Sequence, residues 1–94
     1  MLVREQIERK LVDGLAPTRL EIIDESARHS GHAGAHPEGE SHFSVEIVSQ
    51  AFDGKSMLAR QRMVYDLLVQ EMRQRVHALS LRTLTPAEES ERNA

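Results

Sequence analysis

The chain has 94 residues, a formal net charge of -3 and no cysteine. That length accommodates one core and no second domain, and the acidic balance argues against broad adhesion to nucleic acid, which depends on Lys and Arg contacts to phosphate. The lack of cysteine excludes disulfides, a thiolate nucleophile and any self-sufficient Cys-ligated zinc or iron–sulfur site.

The apolar runs are all far shorter than the ~20 residues that span a bilayer. Met1 to Gln6 contains neither an apolar signal core nor a small-residue cleavage site. The expectation is a cytoplasmic protein with no membrane segment. Val3, Ile7, Leu11 and Leu15 recur every four residues, with Val12 widening the stripe, which predicts an amphipathic helix. Gly14 and Pro17 supply its stop, glycine by tolerating a left-handed cap. Leu20 to Asp24 is short, apolar and rich in β-branched residues, and reads as a first strand. Glu25 to Ser41 carries Gly31, Gly34, Gly39, Pro37 and three of the five histidines with no apolar period, so it reads as a long loop. Loops of that length in compact domains are functional or disordered.

Phe43, Val45 and Ile47 alternate with Ser44 and Glu46, which predicts a half-buried second strand over His42 to Ser49. Asp53 and Gly54 then turn the chain. Met57, Val64, Leu67, Leu68 and Met72 fall at helical spacings. They predict a short helix capped by Ser56 and a longer one from about Arg60 to Arg62 onward. In a third strand, Leu79 and Leu81 share a face with His77 and Thr83, while Ala78, Ser80 and Arg82 take the other. Pro86 and the polar run after it end the fold, giving a domain over 1–86 and a disordered polar tail over 87–94. The order is α-β-β-α-α-β. Strands one and two pair antiparallel, and a right-handed helical crossover makes strands two and three parallel. The expected fold is α+β, a three-stranded mixed sheet with helices on one face.

Several motifs compete with plainer explanations. Gly54-Lys55-Ser56 would belong to a phosphate loop only with a glycine at position 49, where the chain has Ser49. Gly31-His32-Ala33-Gly34 spells the GxxG of KH domains, but between two strands rather than two helices. Lys55, Arg60 and Arg62 form a candidate basic patch on a helix pair that loosely resembles a helix-turn-helix. A solvated helix face is the plainer account. No HExxH, nucleophile elbow or spaced carboxylate pair is present, so no enzymatic activity is expected. His29, His32 and His36 share the loop, and neutral imidazoles there are metal-competent, although nothing fixes their geometry as in a structural zinc site. His77 faces the helices by strand parity, and a His on an apolar face is more often a satisfied core residue than a ligand.

Taken in order, Asp24-Glu25-Ser26 with His29, Glu40-Ser41-His42-Phe43-Ser44-Val45, Phe52-Asp53-Gly54-Lys55-Ser56, Arg60-Gln61-Arg62-Met63-Val64-Tyr65, Glu71 and Val76-His77-Ala78-Leu79-Ser80 with Thr85-Pro86 resemble the BolA family from about residue 3 to 86. The resemblance implies a fold like class II KH domains without a functional GxxG. It also implies partnership with a monothiol glutaredoxin and a shared [2Fe–2S] cluster. In that arrangement the glutaredoxin and glutathione supply thiolates, and the BolA-like protein supplies His77 and a loop residue. His29 matches the loop position, with His32 and His36 as alternates. Two imidazoles can replace two thiolates on one iron, as in Rieske centres, and a Cys-free chain then needs its partner. Some members are described as DNA-binding regulators of stress response and cell shape, acting through the helix-turn-helix-like region. Many carry Arg-His-Arg where this chain has Arg60-Gln61-Arg62, so a role for that central His does not transfer. A weak homodimer is left open.

Overall fold

The computed structural model describes residues 2–25 and 42–93. Helix α1 (Val3–Leu15) buries Ile7, Leu11 and Leu15, as their four-residue spacing requires. Val12, expected on the same stripe, is 46% exposed; one residue on from Leu11, it is turned about 100° away from the buried line. Gly14 does not end the helix. A Cβ at that position would lie 2.7 Å from both Leu67 Cδ atoms, so the glycine permits close approach of α1 to the next helical layer. The left-handed cap is Ala16, with φ 44° and its amide bonded to the Val12 carbonyl at 3.0 Å.

Strands β1 (Arg19–Asp24), β2 (His42–Val48) and β3 (Ala78–Leu84) form one sheet in the order β1-β2-β3. The β1–β2 pair is antiparallel and the β2–β3 pair parallel, as the connections demand. Phe43, Val45 and Ile47 of β2 are buried among α1 and the crossover helices, while His42, Ser44 and Glu46 alternate onto the opposite, outward face. The crossover begins with a short 3-10 turn, Gln50–Phe52, which buries Phe52, and a Gly54 turn with φ 75°. Helix α2 (Met57–Leu67) follows, capped by the Ser56 hydroxyl, which accepts from the Ala59 amide at 3.1 Å, and then α3 (Val69–Gln74).

The expected lengths of those two helices are reversed. The break falls at Leu68, where φ -108° and ψ 17° tighten the turn and the amide is shared between the Val64 and Tyr65 carbonyls. Neither Gly nor Pro marks the place, and the Leu68 side chain is buried there. Met57 lies at the outermost turn of α2 and is 58% exposed, its sulfur accepting from the Thr83 hydroxyl at 3.7 Å.

The polar segment after β3 is a helix, α4 (Pro86–Asn93), rather than a structureless tail. It buries none of its residues. Thr85 and Glu88 cap it reciprocally: the Thr85 hydroxyl accepts from the Glu88 amide at 3.1 Å, and the Glu88 carboxylate accepts from the Thr85 amide at 2.9 Å. Proline at the first helical position costs nothing, since its missing N–H has no partner there.

Candidate functional site

One end of the sheet gathers the histidines that the structure describes. Strand β1 finishes at Asp24, the Glu25 amide donates to the His42 carbonyl at 2.8 Å, and His42 pairs in register with Ala78 at the start of β3. The segment 26–41 therefore leaves and returns at a single point. His42 is half-buried on the outward sheet face. His77 immediately precedes β3 and is exposed. The two imidazole centroids are 6.4 Å apart with the rings tilted by 37°.

The expectation that His77 faces the helices is thus corrected. α3 ends at Gln74, the Val76 amide closes onto the Glu71 carbonyl at 3.0 Å, and Val76, 4% exposed, fills the core place. The chain becomes extended only at Ala78, so strand alternation does not reach back to His77. His29, His32 and His36 lie outside the described residues. Their chain distances are short, however: His29 follows Glu25 by four residues and His36 precedes His42 by six. Among the described residues no group of three or more His, Asp or Glu side chains could hold a metal ion.

The basic residues separate. Lys55 and Arg62 are exposed. Arg60 does not join them at the surface; it is 5% exposed. Its Nε donates to the Lys55 carbonyl at 3.0 Å and its Nη1 to the Thr83 carbonyl at 3.3 Å. Nη1 and Nη2 grip the two Glu88 oxygens at 2.7 and 3.1 Å, and the cation lies 5.9 Å from the Phe52 ring centroid. Arg60, with help from the Thr85 amide, holds the Glu88 carboxyl down at about 2. A second cluster lies at the outward face, where Glu46 takes Arg92 at 2.9 Å and also Arg19, which in turn holds Glu89. Arg92 first, then Arg19, lowers the Glu46 pKa. The neighbouring groove of about 540 Å³ is lined by Glu21, Ser44, Glu46, Ser80 and Arg82 and does not include either histidine.

Sequence reasoning missed His42 and Glu88. His42 occupies the first outward position of β2, but its closeness to His77 depends on the parallel register. Glu88 was signalled by Thr85-Pro86-Ala87-Glu88, the spacing of a reciprocal helix cap.

A family model described as BolA-like protein matches residues 11–88. The chain belongs to the BolA family. It is 47% identical over 85 residues to the Escherichia coli protein named DNA-binding transcriptional regulator BolA, covering 90% of this chain and 77% of that one. It is 46% identical to SufE-like protein 1 of Arabidopsis thaliana, spanning 94% of this chain but 24% of that longer protein. The solved BolA domain of Arabidopsis SufE1 superimposes with a TM-score of 0.80 at 45% identity, covering 94% of this chain and 98% of that domain. A bol-like protein from Babesia bovis gives 0.78 at 36% identity, covering all of this chain and 96% of the other. The α+β fold with a three-stranded mixed sheet is therefore the BolA fold. Among the described residues, no helix is long and apolar enough to cross a membrane.

Proposed function

We propose that this BolA-family chain is an interaction module that binds a monothiol glutaredoxin in the cytoplasm and contributes imidazoles to a shared [2Fe–2S] cluster. Its role would lie in cluster handling or iron and redox signalling, without catalysis. The observation that carries this reading is the exposed His77 at the sheet end where the histidine-bearing segment leaves and returns, 6.4 Å from His42. The donor chemistry fits: imidazoles ligate iron through neutral nitrogen, and two of them on one iron of a [2Fe–2S] centre raise its potential. The chain has no thiolate, so the partner and glutathione supply the sulfur ligands. His77 and His29 are the proposed ligands, with His32 and His36 as the alternates.

Co-purification with a monothiol glutaredoxin tests it through the visible spectrum of the complex. His77→Ala should abolish or shift the cluster bands while leaving the melting temperature of the isolated chain within about 2 °C, because an exposed side chain carries little stability. Absence of a heterodimer, or an unaltered spectrum in His77→Ala, overturns the assignment. His29→Ala, compared with His42→Ala, then identifies the second ligand.

A second reading, DNA binding as a transcriptional regulator, is favoured by the name of the Escherichia coli relative and by exposed Lys55 and Arg62. It takes the fold as KH-like of class II without a nucleic-acid clamp, since Gly31 and Gly34 fall between β1 and β2 in the chain. Duplex binding that weakens steeply with salt and further on Arg62→Ala supports it; no gel retardation at low salt removes it.

A further inference from the structure

The guanidinium of Arg60 has two working edges. Its inner edge is fixed by the Lys55 and Thr83 carbonyls, with the Phe52 ring beside it. Its outer edge presents Nη1 and Nη2 as a fork, already oriented, to whatever acid lies before it, and here that acid is Glu88 in a two-point grip. Such a fork matches carboxylate and phosphate oxygens equally well. The element that delivers Glu88 is only lightly attached. α4 buries no residue, and beyond the Thr85 cap its side-chain anchors are ionic: Glu88 to Arg60, Glu89 to Arg19 and Arg92 to Glu46. The Glu88 side chain keeps 38% of its surface in solvent, so a competing anion can approach it. Lys55 is exposed and its carbonyl anchors the Arg60 Nε, whereas Arg62, two residues on in α2, is turned about 200° round the helix from the fork.

We propose that the outer edge of Arg60 is a phosphodiester-binding site occupied in cis by Glu88, so that α4 is an acidic plug over a phosphate site made by Arg60, with exposed Lys55 next to it in the turn before α2. Displacing α4 would leave the fork in place, because the two backbone carbonyls continue to orient it. The plug also accounts for the way this chain keeps its most pre-organised cation out of solvent while Lys55 and Arg62 stay exposed. The proposal rests on the DNA-binding reading above.

The test measures binding of a short fluorescent DNA duplex by the full chain across a salt series. Glu88→Gln should bind about tenfold more tightly than the unmodified chain at low salt, with a log–log salt slope steeper by about one. Glu91→Gln removes the same charge from an exposed position on α4 and should give a much smaller change. Arg19→Gln loosens α4 at Glu89 without touching Arg60, and should raise affinity even though it removes a cation; it carries the test if Glu88→Gln does not fold. If Glu88→Gln and Arg19→Gln gain no more than Glu91→Gln while Arg62→Ala weakens binding, the plug is wrong and the DNA reading stands. If none of the variants binds duplex, both fail.

Discussion

Arg60→Met separates a structural cation from a surface one. The substitution keeps most of the stem that crosses the core edge and removes the donors to Lys55 and Thr83 together with the half-exposed grip on Glu88. The Thr83 carbonyl is buried in that contact, and leaving a buried acceptor unsatisfied costs about 1–3 kcal/mol. The Lys55 carbonyl is only partly buried, so water recovers some of its loss. Relief of the guanidinium's own desolvation offsets part of the total. The net expectation is a loss of roughly 1.5–3 kcal/mol, equivalent to about 6–24 °C in melting temperature for a domain of this size. Arg62→Met, at an exposed position of the same helix, should stay within about 0.5 kcal/mol. Urea titration followed by far-UV circular dichroism measures both, with an unchanged m-value showing that the unfolding transition is comparable. Equal stability of the two variants would refute the reasoning, and any weakening of DNA binding by Arg60→Met would then be a direct contact effect rather than a folding defect.

Gly14→Ala places a methyl 2.7 Å from the Leu67 Cδ atoms, the movable end of that side chain, so the shift it forces should cancel most of the roughly 1 kcal/mol gained in helix propensity and leave stability within about 0.5 kcal/mol. Combining it with Leu67→Ala should release that gain as a coupling energy of about 0.5 kcal/mol or more in a double-mutant cycle. Acid should loosen α4. The folded-state pKa of Glu88 is depressed to about 2, so its contribution is fully present above the unfolded carboxyl value of about 4.3 and is lost as pH falls from about 5 through about 2. Helicity and stability of Glu88→Gln should accordingly fall less than those of the unmodified chain across that window, and parallel curves would show that the ion pair contributes nothing.

Much of the fold was legible because it follows from local periodicity. The spacing of Ile7, Leu11 and Leu15 defined α1, and the alternation of Phe43, Val45 and Ile47 defined the buried face of β2. What escaped was decided by tertiary contact or by chemistry read with the wrong weight. The α2–α3 break falls at the buried Leu68, and no helix-breaking residue type announces it. Gly14 looked like a helix stop because glycine favours caps, whereas its lack of a Cβ serves the contact with Leu67. Pro86 looked like a terminator because proline cannot continue a helix, yet with Thr85 before it and Glu88 after it, it starts one. At the candidate site, composition made the histidines conspicuous. It did not reveal that His77 is exposed or that His42 adjoins it, because both facts depend on where β3 begins and how it registers on β2.

Strand β2 is bonded on both sides, to β1 and to β3, whereas α4 has no buried residue. Amide exchange should therefore grade the molecule. Protons of β2 should be released only when the whole domain unfolds, and those of α4 through brief local openings well short of that. His42 is the first residue of β2, and its register partner Ala78 adjoins His77. His42 thus belongs to the last strand to open, while His77 sits in the bend that leads into the edge strand β3. A partner that captures the molecule with α4 undocked would still meet the His42 ring on a closed strand.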